Sequence, residues 1–427
     1  MHAHRSLWVL GLIVGGLLLA AMPAGAVMPP PQDCAARDDP ALIVAPGELP
    51  LQPVGVPFTD PGFCSTLRRV SDASDEGRFE TQEYSQLQAF SMDNEYLLLV
   101  SPDEYLVRRV DDLSRVEGLD TGGWNAARWY PPQPHTVLHF DSNADTTIRV
   151  QLTNVDDLTT ETVYTFPAQY ERIIVNASSD ELSDDGGWLA GIANRDDSAW
   201  VIFALDVANR ALGAQIPVAD LYAGECAPDP EWGAVDPDWV GVSPLGNYLV
   251  VQWTRDGTAR CSGLETFDLQ TGAFVGRVYD GHQHGDLGTR PDGTEFFMTF
   301  ENYHPSGYEA LGVRDLPGNA TVSEPDYVQT LDWNGEHISC QGPAGVCLIT
   351  TLDSASGALA GEVFLQYTDG RIERLAHHRS SGCGYWVQPR ASLSRDGRYV
   401  VFASDWGQEL DCDDLGRGDP YIIERAP

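Results

Sequence analysis

The run Ser394-Arg395-Asp396-Gly397-Arg398-Tyr399-Val400 near the C-terminus decides the fold, because weaker copies of it recur along the chain. Its Asp-Gly pair tolerates the positive φ angles of a tight turn, and the apolar residues that follow are typical of a buried β-strand. Seven copies are found, and their first strand residues are Tyr96, Thr136, Trp188, Tyr248, Phe296, Val346 and Tyr399. Neighbouring copies are roughly 40 to 60 residues apart, which is the spacing of a four-stranded repeat unit.

This repeat spacing predicts the fold class. We expect an all-β, seven-bladed β-propeller, because a four-stranded blade cannot bury both of its faces without a neighbour on either side. The segment Thr66–Val70 is predicted to be a strand, and we expect it to close the last blade beside Tyr399–Ala403. An array of β-sandwiches would also give short strands between turns. The repeats share one range of spacings and no linker separates them, and both features favour the propeller.

The N-terminus has the pattern of a secretory signal. Two histidines and an arginine at positions 2–5 precede the apolar run Leu7–Ala21, and Ala24-Gly25-Ala26 offers a cleavage site. We predict a signal peptide over residues 1–26, a proline-rich lead-in over 27–60 and a single propeller domain over 61–427. Because the apolar run is shorter than a membrane span requires, no span is expected after cleavage. The predicted location is secreted or periplasmic.

Cysteine usage agrees with export. All eight cysteines follow the predicted cleavage site, and an even number in an exported protein favours disulfides over thiol chemistry. Their positions along the chain suggest the pairs Cys34 with Cys64, Cys226 with Cys261, Cys340 with Cys347 and Cys383 with Cys412. The alternative is a zinc site made of Cys340, Cys347 and His337. The spacing of its two cysteines differs from the usual two to four residues of a zinc knuckle.

The chain is strongly acidic, with 63 acidic residues against 26 basic ones and a formal charge of −37. This charge repels nucleic acids and anionic membranes, so neither is expected as a partner. Every basic residue is an arginine, so no lysine is present to form a Schiff base or to act as a general base. Adaptation to high salt would explain the acidity, and so would an ordinary acidic secreted protein.

The candidate site is centred on the compact cluster His282-Gln283-His284-Gly285-Asp286, which lies just before one of the repeated turns. In a β-strand, alternate residues share a face, so His282, His284 and Asp286 would lie together. Imidazole and carboxylate groups on one face can hold a metal or position a general base. We therefore predict His284 and Asp286 as catalytic residues and His282 as a ligand-binding residue.

Equivalent positions in other repeats carry further polar residues. His337 stands before the strand at Val346, Gln388 and Arg390 stand before the strand at Tyr399, and Gln86 stands in the first repeat. Corresponding positions on successive blades converge on the propeller axis. We predict His337, Gln388 and Gln86 as ligand-binding residues and Arg390 as a catalytic one. The alternative is that such residues only hydrogen-bond between blades, with Arg390 as either a brace or an anion clamp.

Several short motifs carry a resemblance to known propellers. They are Tyr84-Ser85-Gln86, Ala127-Arg128-Trp129, Gly281-His282 and the run Gln388–Gly397. Residues 60–425 resemble exported bacterial propellers, including TolB-like proteins and the oligogalacturonate lyase family. The resemblance to the lyases implies a divalent metal near the axis, held by His284, His337 and Gln388. It also implies β-elimination from a uronate, with His284 held by Asp286 as the base and Arg390 or the metal neutralising the substrate carboxylate.

The sequence supports two functions. The first is an exported propeller that binds a glycan, a peptide or a protein at its rim or axis, with no need for catalytic histidines. The alternative is a metal-assisted lyase acting on a uronate-containing glycan. The charge of −37 favours the first, because a polyanionic substrate would be repelled.

Overall fold

The structure, a computed structural model, describes residues 37–102, 104–141, 147–173, 182–195, 199–223, 226–228, 235–301, 309–331, 335–351, 357–413 and 415–425. In chain order, the strands within these ranges are β1 (Phe58–Thr59), β2 (Thr66–Arg69), β3 (Tyr96–Ser101), β4 (Glu104–Arg109), β5 (Trp124–Trp129), β6 (Thr136–Asp141), β7 (Arg149–Asn154), β8 (Thr160–Thr165), β9 (Tyr170–Ile173), β10 (Trp188–Arg195), β11 (Trp200–Asp206), β12 (Ala211–Pro217), β13 (Pro237–Val242), β14 (Leu249–Trp253), β15 (Leu264–Phe267), β16 (Phe274–Tyr279), β17 (Gly285–Thr289), β18 (Glu295–Glu301), β19 (Glu309–Asp315), β20 (Asp326–Leu331), β21 (Gly335–Ser339), β22 (Val346–Thr351), β23 (Glu362–Tyr367), β24 (Ile372–His377), β25 (Ser392–Leu393), β26 (Tyr399–Ser404) and β27 (Asp419–Glu424). The helices are α1 (Ala73–Glu76), α2 (Val218–Ala223) and a 3₁₀ turn at Tyr385–Val387.

Sheets of blade size follow one another along the chain. Five of them have four antiparallel strands, namely β5–β8, β9–β12, β13–β16, β17–β20 and β21–β24. A sixth has five strands in the order β1-β2-β27-β26-β25, and β3 and β4 form a two-stranded sheet. Hydrophobic clusters join neighbouring sheets, as where Phe140 of β6 packs near Phe203 of β11. The fold is an all-β β-propeller, as predicted.

The predicted count of seven blades is wrong, because the described residues form six sheets of four or five strands. The first repeat supplies only β3 and β4. The chain before β3 touches it through single bridges, Thr81 with Val100 and Phe90 with Leu97. Between these two bridges lie residues 82–89 on one side and only residues 98–99 on the other. Most of residues 82–89 therefore do not pair with β3. The segment that would form the inner strand of the first blade is therefore not a β-strand.

Residues 82–88, called here the glutamine segment, hydrogen-bond to other sheets instead. The side-chain amide of Gln82 donates to Pro389 O at 2.6 Å, and that of Gln86 donates to Gly285 O at 2.8 Å. The amide of Gln88 donates to Leu393 O at 3.0 Å. These acceptors lie at or beside the strands β17 and β25, which are inner strands of two different sheets. The segment thus satisfies inner-strand carbonyls in place of a regular strand.

The repeated turns have one hydrogen-bonding pattern. In the last repeat, Ser394 Oγ donates to Asp396 Oδ1 at 2.8 Å and accepts from Tyr399 N at 2.9 Å. Ser91 makes the same pair of bonds in the first repeat. Gly397 has a φ of 72°, which a side chain would disfavour. In both repeats, these serine hydrogen bonds therefore fix the turn that precedes a buried strand.

The predicted N-terminal strand is β2, and it pairs with the C-terminal strand β27. The antiparallel register places Thr66 opposite Glu424 and Leu67 opposite Ile423. Beside this ladder, the buried side chain of Arg69 contacts Asp419 Oδ2 at 2.6 Å. Hydrogen bonds and one ion pair thus join the two ends of the repeat region.

The described part of the lead-in, residues 37–60, lies against the last two sheets. Arg374 Nη1 donates to Leu42 O at 2.8 Å, and His377 Nε2 donates to Val44 O at 2.9 Å. Trp406 Nε1 donates to Leu49 O at 2.9 Å, and the Leu49 side chain packs on the hydrophobic core. The lead-in is therefore held by side chains of β24 and of the loop after β26.

Three predicted disulfides are confirmed: Cys226–Cys261, Cys340–Cys347 and Cys383–Cys412. The alternative zinc site is wrong, because Cys340 and Cys347 are bonded to each other. The remaining prediction concerns Cys34, which lies outside the described residues. Among the helices described, none is long and apolar enough to span a membrane.

Candidate functional site

Two of the predicted site residues are in contact. His284 lies directly before β17 and His337 lies within β21, which packs beside β17. The two imidazole rings stack, with centroids 4.9 Å apart and planes inclined by 18°. Counting from the repeated turns therefore located two side chains that meet at the start of neighbouring inner strands.

The two histidines differ in exposure. His284 is exposed, and its Nδ1–H donates to Glu336 O, so the neutral ring presents Nε2 as an acceptor. His337 is 3% exposed, and burial lowers its pKa well below 6.5, with His284 and Arg390 acting in the same direction. His337 is therefore neutral at physiological pH. The pair presents one accessible ring stacked on one buried, uncharged ring.

Glu336 is a site residue that the sequence analysis missed. It is 6% exposed, and burial raises its pKa to about 7, against the opposing effect of Arg390. Its Oε2 lies 4.0 Å from His337 Nδ1, and within the described ranges both atoms are buried without a hydrogen-bond partner. A register shift in β21 between Gly335 and His337 marks a β-bulge beside them. Such a bulge can turn two consecutive side chains inward.

Two tyrosines complete the surroundings of the histidine pair. The ring of Tyr84, from the glutamine segment, meets His337 edge to face with centroids 5.2 Å apart. Burial raises the pKa of Tyr84, and the neighbouring Tyr385 adds to the effect. Tyr385 is 41% exposed. An aromatic face is therefore open to solvent near the stacked imidazoles.

Arg390 lies beneath these rings with the contacts of a brace. It is fully buried, and its Nη1 donates to Glu83 O at 2.7 Å while Nη2 donates to Thr81 Oγ1 at 3.2 Å. Its guanidinium carbon lies 4.4 Å from the ring centroid of Tyr385. Burial lowers its pKa below 12.5. The positive charge can act on the site through its field, but solvent does not reach it.

The carboxylate of Asp286 makes its short hydrogen bonds to main-chain N–H groups and not to His284. Its Oδ2 accepts a hydrogen bond from Cys340 N at 2.6 Å, and its Oδ1 accepts one from Leu287 N at 2.8 Å. Burial raises the pKa of Asp286 to about 7. Because β17 begins at Gly285, His284 lies outside the alternating pattern that was expected to align the two side chains.

The other predicted residues surround the pair without joining it. His282 Nε2 lies 3.1 Å from Asp238 Oδ2, and that hydrogen bond raises the pKa of His282. Gln86 reaches Gly285 O, beside His284. Gln388 is half-buried, and its main-chain N donates to Tyr385 O. The structure therefore brings His284 and His337 together and leaves Gln388 without a described contact to either.

These residues do not fit a metal centre in this arrangement. The two imidazole planes are nearly parallel, so their in-plane lone pairs run side by side instead of converging on one ion. Among the His, Cys, Asp and Glu side chains described, one group of three has its ligand atoms within 4.8 Å of one another. It consists of Asp93, Glu95 and His135 and does not include the stacked pair.

Solved structures show which fold the chain resembles. An oligogalacturonate lyase in complex with manganese has a TM-score of 0.59 at 12% identity, covering 87% of this chain and 96% of that one. The oligogalacturonate lyase of Vibrio parahaemolyticus has a TM-score of 0.56 at 11% identity, covering 86% and 96%. TolB from Acinetobacter baumannii has a TM-score of 0.36 at 13% identity, covering 70% and 62%. At these identities the likeness to the two lyases shows a propeller fold and no more.

Comparison at the level of sequence gives no match. No protein-family model matches the chain, and no curated protein sequence matches it.

Proposed function

We propose that the protein binds a neutral glycan at the surface that exposes His284 and Tyr385. The observation that carries the proposal is the stacked imidazole pair, in which Nδ1 of the exposed His284 donates to Glu336 O and Nε2 is left as an acceptor. Sugar hydroxyls both donate and accept, so one can donate to His284 Nε2. Glu336 and His337 are buried, so they position the His284 ring and do not themselves reach the sugar.

Charge and exposure support a neutral ligand over a polyanion. With a net charge of −37, the protein repels polyuronates over distances comparable to the Debye length. Arg390 is the cation among the predicted site residues, but it is fully buried and donates to Glu83 O and Thr81 Oγ1. The exposed ring of Tyr385 offers instead the apolar face on which sugar rings stack.

Calorimetric titration with neutral oligosaccharides tests the proposal. We expect His284→Ala and Tyr385→Ala each to weaken binding at least tenfold, which corresponds to about 1.4 kcal/mol. His139→Ala is the matched control, because His139 is buried against Trp124 in another sheet. Binding that is unchanged in both site variants would move the ligand site elsewhere on the propeller.

The second candidate is the uronate lyase. It is supported by the accessible Nε2 of His284, which is placed to accept a proton, and by the overall fold. The opposing observations are the buried Arg390, the hydrogen bonds that hold Asp286 to main-chain N–H groups and the nearly parallel imidazoles. Incubation with oligogalacturonate and Mn²⁺ tests this reaction. New ultraviolet absorbance from an unsaturated product, lost in His284→Ala, would favour the lyase over the glycan binder.

We further propose that the mature protein is exported. The predicted signal peptide over 1–26 and the confirmed disulfides agree with a secreted or periplasmic location. Residues 27–60 would then be the lead-in to a single domain over 61–427, with the β2–β27 pairing closing the ring. A mature protein recovered from the periplasm or medium should begin at Val27 when its N-terminus is sequenced.

A further inference from the structure

A second group of polar side chains lies far along the chain from the stacked histidines, where the turn before β3 meets the turn before β6. His135 Nε2 lies 2.6 Å from Asp93 Oδ2 and 3.6 Å from Glu95 Oε2. All three ligand atoms lie within 4.8 Å of one another. We propose that Asp93, Glu95 and His135 bind a divalent transition-metal ion and that Zn²⁺ is the preferred ion.

The other nitrogen of His135 is held in the manner expected of a metal ligand. Nδ1 donates to Asp156 Oδ2 at 2.5 Å, and Asp156 Oδ1 accepts from Tyr96 OH at 2.5 Å. A carboxylate on Nδ1 fixes the tautomer whose Nε2 lone pair points at the metal. Asp156 is therefore a positioning residue, and Tyr96 holds it in turn.

One oxygen of each carboxylate faces the Nε2 atom of His135. Asp93 Oδ1 is occupied by Ser91 Oγ and by the main-chain N of Glu95, so the turn uses one oxygen and leaves Oδ2 directed at His135. Asp93 and Glu95 line a cavity of about 540 Å³, from which water can complete the coordination. For a tetrahedral ion, Oδ2 and Nε2 must separate to about 3.4 Å, given ligand distances of about 2.1 Å. Exposed side chains can make this shift of less than 1 Å.

The ligand set favours Zn²⁺ over the alkaline-earth ions. Ca²⁺ and Mg²⁺ need six or more oxygen ligands, whereas imidazole suits Zn²⁺, which also accepts carboxylate oxygens and water in a four-coordinate site. Three carboxylates around one neutral imidazole also concentrate negative charge, which a divalent ion offsets. Hydrogen bonds to Asp156 and Asp93 occupy both ring nitrogens of His135, so the ion would replace the hydrogen bond between Nε2 and Asp93.

Zinc titration by calorimetry in the His284→Ala background tests the site separately from the stacked histidines. We expect one Zn²⁺ per chain, at least 100-fold weaker binding after His135→Ala, and 10- to 100-fold weaker binding after Asp156→Asn. Asp157→Asn is the matched control, because it removes the same charge one residue away. The affinity of this variant for Zn²⁺ should stay within twofold of that of the His284→Ala protein.

Three results would overturn the proposal. One is the absence of zinc binding in the His284→Ala protein at micromolar to millimolar ion. Another is binding that Ca²⁺ matches and His135→Ala leaves unchanged, which is the behaviour of a diffuse acidic surface. The third is an equal loss in Asp156→Asn and Asp157→Asn, which would reduce the effect of Asp156 to its charge. None of these results bears on glycan binding at His284.

Discussion

At the scale of single residues, Glu336 is the most informative group. The folded protein holds its proton more tightly than the unfolded chain does, because burial raises its pKa from 4.5 to about 7. The contribution of Glu336 to the free energy of unfolding is therefore fully present below pH 4.5 and is lost as the pH rises through 7. The ionisable groups that face it are His337, His284 and Arg390. Of these, His337 has its own pKa lowered well below 6.5 by burial.

We expect Glu336→Gln to flatten the fall in melting temperature between pH 5 and pH 8. The free energy concerned is at most roughly 3 kcal/mol, given about 1.4 kcal/mol per pKa unit. Glu171→Gln, at an exposed position in β9, is the control and should follow the wild type. Asp286 and Asp419 have raised pKa values as well, so the informative quantity is the difference between the two slopes. Parallel curves for Glu336→Gln and the wild type would refute the assignment.

The sequence predicts part of this site and misses the rest for definable reasons. The contact between His284 and His337 follows from counting residues back from the repeated turns, because each repeat places equivalent positions on neighbouring inner strands. Glu336 could not be found this way, since strict alternation would turn it away from His337, and the bulge in β21 breaks that alternation. The burial of Arg390 depends on the glutamine segment, whose path is set by distant carbonyls.

At the scale of elements, the join between β2 and β27 contains a buried ion pair. Arg69 and Asp419 are 2% and 1% exposed, and Asp419 Oδ1 also accepts from Ser71 Oγ and Ala73 N. Removing Asp419 leaves the buried guanidinium of Arg69 with Asp72, whose Oδ1 lies 2.9 Å from Nη2, and leaves the donors Ser71 and Ala73 without their acceptor. We expect Asp419→Ala to lower the free energy of unfolding by about 3 to 5 kcal/mol.

A double-mutant cycle in chemical denaturation measures this pair. Arg69→Met combined with Asp419→Leu should recover part of the loss, because no buried charge is then left unpaired. The exposed pair Arg398 and Glu424 of the same sheet is the control, and Arg398→Ala should cost less than about 1 kcal/mol. Equal effects at the two pairs would show that the β2–β27 join does not depend on the buried charges.

The glutamine segment connects an element to the site. Gln86 donates to Gly285 O, which directly follows His284, so its loss leaves that carbonyl buried and shifts the histidine. We expect Gln86→Leu to cost about 1 to 3 kcal/mol of stability and to weaken glycan binding. Gln270→Leu, at an exposed turn, is the control for both measurements. Unchanged affinity with reduced stability would limit the segment to a structural role.

At the scale of the whole molecule, the sequence predicts the propeller but not the number of complete blades. Turn chemistry is local, so Ser91, Asp93 and the strand at Tyr96 identify the first repeat correctly. Whether residues 82–89 add an inner strand depends on competition between β3 and the carbonyls of other sheets. Glutamines can satisfy those carbonyls as well as a strand can, and no pattern in the sequence decides between the two.

The net charge of −37 also acts at this scale. The 26 arginines include many in exposed ion pairs, such as Arg371 with Asp369 and Arg210 with Glu161, and each such pair contributes at most about 1 kcal/mol. The remaining acidic groups repel one another, and salt screens both effects. Because acidic residues exceed arginines more than twofold, repulsion is the larger contribution.

We therefore expect the melting temperature to rise with NaCl from low ionic strength to about 1 M, where the Debye length falls from about 30 Å to about 3 Å. Scanning calorimetry at fixed pH measures the rise, and KCl should match NaCl because screening depends on ionic strength and not on the cation. Sucrose at equal osmolality is the control for general solvent exclusion, and it should act without the steep initial rise. A melting temperature that falls on adding salt would show that the arginine–carboxylate pairs outweigh the repulsion among the acidic groups. The prediction that salt stabilises this acidic protein would then be wrong.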